Sequence, residues 1–153
     1  MKKYLLILLL ASCATKNNIQ EVQEPAAKPI IAAKKEEIKI DKKVKFIDTV
    51  YFAFDSSSIN KNMAVELTDN IIWLKQNPAK KLVIEGHCDE RGTKEYNLAL
   101  GERRAYAVKK FLVNSGIKKN RLKTVSYGEE RPNALGSSER AHQKNRRVQF
   151  IKN

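Results

Sequence analysis

The sequence contains few of the residues on which catalysis or metal binding usually depends. Its two histidines, His87 and His142, lie far apart in a chain of 153 residues. His87, Asp89 and Glu90 crowd into four positions at a predicted turn, where side chains diverge, and no nucleophile, base and orienting group occur together. A glycine-rich phosphate loop is also missing. We therefore expect a protein that is not an enzyme and uses no metal or cofactor, with His87 in a structural role.

The chain also lacks a hydrophobic run that is long enough to cross a bilayer. Its N-terminal apolar run, Tyr4 to Leu10, is far shorter than the ~20 residues that a spanning helix needs. Lys2 and Lys3 precede this run and supply a short positive segment. The pattern predicts a signal peptide over residues 1–12.

The residues that follow the apolar run indicate lipidation. Leu10-Ala11-Ser12-Cys13 resembles the bacterial lipobox, which implies cleavage after Ser12 and acyl chains such as palmitate at Cys13. Two or more acyl chains hold a protein firmly on a membrane, whereas a single chain does so only marginally. Ala14, in place of an aspartate, favours the outer membrane by analogy with such lipoproteins. The alternative is an ordinary signal peptide with a chance cysteine.

Cysteine is scarce as well. If Cys13 carries lipid, Cys88 is the only free thiol of the mature chain, and no intramolecular disulfide can form. The fold must then depend on its apolar core. We interpret Cys88 as filling a small site at a strand end rather than as a reactive group.

Composition divides the chain at about residue 44. Residues 13–43 predict a lipidated N-terminus and a flexible tether, because residues 14–43 contain Pro25, Pro29, several alanines and no aromatic residue. Such a segment buries too little apolar surface to offset the entropy of ordering it. Residues 44–153 are rich in β-branched and aromatic residues and predict one compact domain. We find no internal repeats.

Within the domain, strand and helix patterns alternate. Four strands are predicted at 50–54, 81–86, 121–127 and 147–151, and two helices at 60–76 and 94–115, with a helical turn at 138–142. We expect the second helix to bury Leu98, Ala105, Val108 and Leu112. This order predicts an α/β (α+β) sandwich, in which helices pack on one face of a four-stranded mixed sheet.

Positive charge is in excess. The precursor has a formal net charge of +13, and residues 44–153 contain 21 basic and 12 acidic residues, a net charge of +9. A basic domain can serve nucleic acid, but an exported lipoprotein does not meet nucleic acid where it works. Anionic lipid headgroups or an acidic wall polymer are better partners, although much of the excess simply solvates the surface.

One group of residues has the chemistry of a binding site. Asn97, Leu100 and Arg104 share a stripe of the second predicted helix, and we expect them to line a groove with an exposed Leu100. Asp89 follows the second strand, and Asp55 follows the first. An arginine binds a carboxylate through its planar fork, so the set suits a small zwitterion. On spacing alone, the simpler interpretation is a surface ion pair between Asp89 and Arg104.

Four motifs carry a resemblance to a known family: VYFAFDSSSI, VIEGHCDERGTKEYNLALGERRAYAVKKFL, VSYGEERP and KNRRVQF. In this order they resemble the OmpA-like peptidoglycan-binding domain family, and within it the group of peptidoglycan-associated lipoproteins (Pal). The similarity covers residues 48–152, and the lipobox and tether match the same group.

The resemblance implies a domain that grips meso-diaminopimelate in the peptide stem of peptidoglycan, without catalysis. The resemblance implies that six residues bind the ligand. They are Asp89 of the DERG motif, Asn97 and Arg104 of NLALGERRA, Phe54 and Asp55 at the end of the first strand, and Leu100 as an apolar wall. Cys88 departs from the family, which usually has Ala or Thr there. Its similar size should leave the pocket open.

The resemblance also implies where the protein works and with whom. It implies an outer-membrane lipoprotein that faces the periplasm and joins membrane to wall, in a Tol-Pal-type system for envelope integrity and cell division. The family also docks TolB, a periplasmic β-propeller, on a surface that overlaps the wall-binding groove, so a protein-interaction module is the alternative. The cluster Lys144 to Arg147 either pairs with acids of the fold or meets the polymer.

Overall fold

The structure is a computed structural model that describes residues 44–153. The predicted signal peptide, Cys13 and the tether lie outside the described residues and remain predictions. Within residues 44–153, no helix is both long and apolar enough to cross a membrane.

The described chain alternates strands and helices. In chain order these are β1 (Thr49–Tyr51), α1 (Lys61–Gln76), β2 (Leu82–His87), α2 (Lys94–Asn114), a 3₁₀ turn (Lys119–Arg121), β3 (Leu122–Gly128), α3 (Glu139–Asn145) and β4 (Arg147–Lys152). The four strands form one sheet in the order β1-β4-β2-β3. β2 and β3 are parallel, whereas β4 runs antiparallel to both β1 and β2. The predicted four-stranded mixed sheet is therefore confirmed.

Side-chain caps define where the two long helices begin. The Asn60 side chain accepts a hydrogen bond from the Met63 amide at 2.9 Å, and the Thr93 hydroxyl accepts one from the Tyr96 amide at 3.2 Å. Each cap satisfies an amide that has no partner inside its helix. Gly116, with a φ of 93°, follows the end of α2, in a conformation that glycine adopts without strain.

The core lies between one face of the sheet and the two long helices. Alternate strand residues supply the sheet side of the core: Val50, Leu82, Ile84, Val148 and Phe150. The helices supply Leu67, Ile71 and Leu74 from α1, and Ala105, Val108 and Leu112 from α2. Burial of these apolar surfaces is the main driving force for the fold.

The predicted core stripe of α2 is wrong at its first member. Leu98 is 51% exposed, whereas Leu100 and Arg104 are buried. The reason is a close contact between Gly101 and Gly86, where a Cβ on Gly86 would lie 1.9 Å from the Gly101 carbonyl oxygen. The two glycines bring α2 against β2 along its Gly101 face, which directs Leu98 away from the core.

Candidate functional site

A cavity of about 190 Å³ opens where β1 and β2 end and α2 begins. Its walls include all six residues that were predicted to bind a ligand: Phe54, Asp55, Asp89, Asn97, Leu100 and Arg104. Cys88, Arg91, Gly92, Tyr96 and Arg146 complete the lining. The fold thus brings residues from three separate parts of the sequence to one hollow. Within residues 44–153, no group of His, Cys, Asp and Glu is arranged to hold a metal ion.

Asp89 is the buried acid of this cavity, with a side chain only 5% exposed. Arg91 binds it through two nitrogens, with Nη2 2.6 Å from Oδ2 and Nε 3.3 Å from Oδ1. Arg146 also donates to Oδ2, from Nη1 at 3.3 Å. Burial acts to raise the pKa of Asp89, but the hydrogen bonds from the two arginines outweigh burial and lower that pKa below its usual value. The group is therefore an anion at neutral pH.

Arg104 lies at the cavity wall. The sequence suggested that its guanidinium is free to bind a ligand carboxylate, but most of its N–H groups already donate to the protein backbone. Nε donates to the Ser56 carbonyl at 2.8 Å, Nη1 to the His87 carbonyl at 2.8 Å and Nη2 to the Ala53 carbonyl at 3.1 Å. Nη1 also lies 3.4 Å from the Cys88 sulfur. A guanidinium has five N–H groups, so at most one remains for a ligand. Arg104 therefore joins the ends of β1 and β2 as well as lining the cavity.

The surface ion pair between Asp89 and Arg104 that spacing alone suggested is wrong. The arginines that bind Asp89 are Arg91 and Arg146, and Arg104 is only 1% exposed. Burial lowers the pKa of Arg104, yet its bonds to carbonyl oxygens keep the charge solvated by the backbone.

Asn97 acts on the shape of the loop between β2 and α2. Its Nδ2 donates to the carbonyls of Asp89 and Arg91 at 3.3 and 3.1 Å and to the Glu129 carboxylate at 2.6 Å. The amide is 1% exposed. These bonds fix the loop that carries Asp89, so Asn97 positions the acid instead of solvating a helix face.

Leu100 differs from the prediction in its exposure. We expected an exposed leucine whose apolar surface a ligand would cover. Leu100 is instead buried in the cavity wall. The close approach of Gly101 to Gly86 places this face of α2 against the sheet, so Leu100 is buried as well. Cys88, as expected, fills a small buried site, where its thiol donates to the Asn97 carbonyl at 3.2 Å. Burial raises the pKa of this thiol, so it is an uncharged group at neutral pH.

The open side of the cavity is aromatic. Phe54 is 59% exposed, and the guanidinium of Arg91 lies 4.1 Å above its ring. The Tyr96 hydroxyl donates to the carboxylate of Asp55, which itself has a left-handed backbone conformation with a φ of 49°. These residues give the cavity an apolar mouth next to its charged interior.

The sequence did not indicate three polar side chains of the cavity: Arg91, Tyr96 and Arg146. Arg146 belongs to the basic cluster before the last strand, for which pairing with acids of the fold was one of two interpretations. It bonds to Asp89 and to Glu139, the latter at 2.8 Å, and so the pairing interpretation is correct for this residue. Arg91 stands inside the DERG motif, two positions after the acid, and this short spacing was the available signal.

Comparisons with a family model and with curated relatives agree on one family. The model of the OmpA family matches residues 51–146. A peptidoglycan-associated lipoprotein of Pasteurella multocida is 50% identical over 101 residues, which cover 66% of this chain and 67% of that protein. One of Mesorhizobium japonicum is 41% identical over 142 residues, which cover 93% of this chain and 84% of that protein. The match thus spans about two thirds of the first of these relatives and more of the second.

Solved structures show the same fold. The crystal structure of the peptidoglycan-associated lipoprotein from Burkholderia pseudomallei has a TM-score of 0.68 at 40% identity, over 70% of this chain and 91% of that chain. The C-terminal domain of Helicobacter pylori MotB has a TM-score of 0.65 at 27% identity, over 70% of this chain and 84% of that chain.

Proposed function

The chain belongs to the OmpA family, and on this premise we propose that it binds the peptide stem of peptidoglycan through meso-diaminopimelate. The observation that carries the proposal is the single cavity that contains Asp89 together with Phe54, Asp55, Asn97, Leu100 and Arg104. Curated relatives at 41–50% identity are named peptidoglycan-associated lipoproteins. Binding without catalysis fits a site that has an acid, guanidinium groups and apolar walls.

The chemistry of the ligand matches the cavity. The side chain of meso-diaminopimelate ends in a carbon that carries both an ammonium and a carboxylate group. Asp89 supplies a buried anion for the ammonium, and the arginines around it supply donors for the carboxylate. Charge-assisted hydrogen bonds of this kind are shorter and stronger than neutral ones. Leu100 and Phe54 give the carbon stem an apolar contact.

The proposed cellular location follows from the N-terminal sequence. Acyl chains on Cys13 would hold the protein in the outer membrane, and residues 14–43 would give the domain reach into the periplasm. The domain would then link the membrane to the wall without a covalent bond, in a Tol-Pal-type system that supports envelope integrity and cell division. Labelling with a radioactive fatty acid, lost in Cys13→Ala, tests the anchor.

Sedimentation with insoluble peptidoglycan tests the binding. We expect the full-length protein to sediment with peptidoglycan that contains meso-diaminopimelate and much less with peptidoglycan that contains lysine at the same position. Lysine has no carboxylate at the end of its side chain, so it offers only half of the zwitterion. Equal sedimentation with both polymers, or with neither, would contradict the proposal.

A second candidate function is docking of a TolB-like periplasmic protein. It is supported by the exposed aromatic rings of Phe54 and Tyr96 at the cavity mouth, since aromatic residues are enriched at the centres of protein interfaces. Phe54 also lines the cavity, so the two functions would exclude one another in time. Surface-plasmon binding to TolB should fall when a soluble diaminopimelate-containing peptide is added, and unchanged binding would show separate surfaces.

A further inference from the structure

Asp89 has no acceptor position left for a ligand while Arg91 stays in place. A carboxylate has about four lone-pair positions, and four donors reach this one. Oδ1 accepts from the backbone N–H of Arg91 at 3.2 Å and from its Nε at 3.3 Å. Oδ2 accepts from Arg91 Nη2 at 2.6 Å and from Arg146 Nη1 at 3.3 Å. An ammonium group can therefore bind Asp89 only by replacing one of these donors.

The two arginines differ in how readily they can leave Asp89. The Arg146 side chain is 8% exposed, its Nε donates to the Phe52 carbonyl at 3.2 Å, and its Nη1 donates to Glu139 at 2.8 Å. Its departure would leave the buried Phe52 carbonyl without this donor and would remove one donor from the buried Asp89. The Arg91 side chain is 38% exposed, and its charge reaches water with little movement. Arg91 is therefore the donor that a ligand can replace.

Asp89 stays in position when the Arg91 side chain moves away. Its Oδ1 keeps the hydrogen bond from the Arg91 backbone, and its Oδ2 keeps the bond from Arg146. Two other contacts already hold the Arg91 guanidinium at the cavity mouth: the Phe54 ring lies 4.1 Å from its Cζ, and Glu139 lies 3.4 Å from its Nη1. Neither contact depends on Asp89, so both would remain available to a released guanidinium. The acid and the released arginine would thus face the ligand from two sides.

We propose that the ligand inserts into the ion pair between Asp89 and Arg91. Its ammonium group replaces the Arg91 side chain on Asp89, and its carboxylate binds the released Arg91 guanidinium. Arg91 is then the residue that distinguishes a zwitterionic side-chain end from a merely cationic one. The proposal rests on the proposed function and goes beyond it, because it assigns selectivity to a residue outside the six that the sequence indicated.

The selectivity follows from the number of ion pairs before and after binding. A zwitterion breaks one pair, Asp89 with Arg91, and forms two. A ligand that has only an ammonium group breaks one pair and forms one, so Arg91 loses its main partner without compensation. Arg91 therefore disfavours the lysine-type ligand in addition to favouring the diaminopimelate-type ligand.

Calorimetric titration of the full-length protein tests the proposal with two soluble tripeptides. Both contain L-Ala and D-Glu, followed by meso-diaminopimelate in one and by L-Lys in the other. In Arg91→Ala the diaminopimelate peptide should bind about tenfold more weakly, because a charge-assisted bond is lost. The lysine peptide should bind about two- to fivefold more tightly, the effect of removing a competing, partly exposed ion pair.

Arg140→Ala is the matched control. Arg140 is an exposed arginine of α3 that lines a separate hollow with Tyr51, Gln143 and Lys144, and its loss should change neither dissociation constant. Tighter binding of the lysine peptide is the decisive result, because a residue with a merely structural role would weaken both ligands when removed.

Other outcomes contradict the proposal in separable ways. Parallel weakening of both peptides in Arg91→Ala, or no change in either, would overturn the insertion while leaving the proposed function intact. Wild-type protein that binds neither peptide would overturn the proposed function, and the insertion with it. Thermal unfolding of each variant, followed by circular dichroism, verifies that the fold is retained.

Discussion

Arg146 Nη1 lies 3.3 Å from Asp89 Oδ2, although 57 positions separate the two residues in the sequence. The register of the sheet explains this contact, because β4 pairs with β2 with Val148 opposite Gly86. The end of β2 and the start of β4 therefore lie side by side. Arg91 reaches Asp89 from within the DERG motif, but Arg146 reaches it only when both strands have paired. The full set of donors around the acid is therefore a product of the tertiary fold and not of the DERG motif alone.

Replacement of Asp89 by Asn should remove binding with little change of shape. Asn97 and the Arg91 backbone hold the loop, but the neutral amide gives the ligand ammonium no counter-charge. Loss of a charge-assisted hydrogen bond costs ~1.5–3 kcal/mol, which corresponds to at least a tenfold weaker association with diaminopimelate-containing peptidoglycan. Sedimentation over a series of polymer concentrations measures the change. Wild-type binding by a folded Asp89→Asn protein would remove Asp89 from the site.

Arg104→Met should lower stability as well as binding. The methionine keeps part of the volume but leaves the carbonyls of Ala53, Ser56 and His87 without their donors. The His87 carbonyl is buried, and a buried carbonyl without a donor costs ~1–3 kcal/mol. The carbonyls of Ala53 and Ser56 are only partly buried and can bond to water instead, so we expect the free energy of unfolding to fall by about 1–3 kcal/mol. Urea denaturation measures it. The adjacent exposed Arg103, changed to Met, should alter it by less than about 0.5 kcal/mol. Equal effects of the two changes would contradict the bridging role of Arg104.

His87 should make stability depend on pH above the range in which carboxylates titrate. Burial, with the nearby charges of Arg147 and Arg131, lowers the pKa of His87 from 6.5 to about 4. Between these two values the unfolded chain binds a proton that the folded protein does not bind. The contribution of the neutral His87 to the free energy of unfolding is therefore complete above pH 6.5 and is lost as the pH falls toward 4. From pH 7 to pH 5 we expect His87 to account for a loss of about 2 kcal/mol, at ~1.4 kcal/mol per pH unit below 6.5.

His87→Phe is the variant that isolates this effect. Among the described residues, neither ring nitrogen of His87 has a hydrogen-bond partner, and the ring stacks on Tyr127 at 5.6 Å. The Glu85 carboxylate is the nearest acid to the ring, at 3.8 Å from Nε2, too far for a hydrogen bond. A phenylalanine keeps the stacking and removes two buried nitrogens without hydrogen bonds, so stability at pH 7.5 should stay the same or rise. Urea denaturation at pH 7.5 and pH 5 measures both quantities. A slope in the variant as steep as in the wild type would show that other groups cause the pH dependence.

Gly86→Ala should disturb the contact between β2 and α2. The added Cβ would lie 1.9 Å from the backbone oxygen of Gly101, and no side-chain rotation can relieve that overlap. Overpacking of this kind costs ~1–3 kcal/mol and sometimes more, and the tilt of α2 should change with it. Thermal unfolding measures the loss, with the exposed position Ala99→Ser as a control on the same helix. An unchanged melting temperature in Gly86→Ala would show that the glycine contact does not set the position of α2.

The sequence predicted the sheet and the helices well because strong local signals define them. Asn60, Thr93 and Gly116 cap or end the helices, and alternation of apolar residues defines the strands. The rotation of α2 escaped prediction, because it depends on how closely Gly101 approaches Gly86 across the interface. For that reason Leu98 was wrongly assigned to the core and Leu100 to the surface.

Which residues line the cavity was easier to predict than which contacts they make. A motif identifies Asp89 and Arg104 as residues of one cavity, but it does not show which donors and acceptors the backbone occupies. The carbonyls that bind Arg104 come from the loop after β1 and from the end of β2, and Arg146 reaches Asp89 only through the strand order. These are relations between distant segments, which local patterns do not contain.

The most direct test of the account is a crystal structure of the full-length protein with the soluble peptide L-Ala-D-Glu-meso-diaminopimelate. We predict that the side-chain ammonium of the ligand lies within hydrogen-bond distance of Asp89 and that the ligand carboxylate contacts a guanidinium of the same cavity. A ligand bound elsewhere on the domain, or in this cavity with its ammonium directed to solvent, would contradict the central claim.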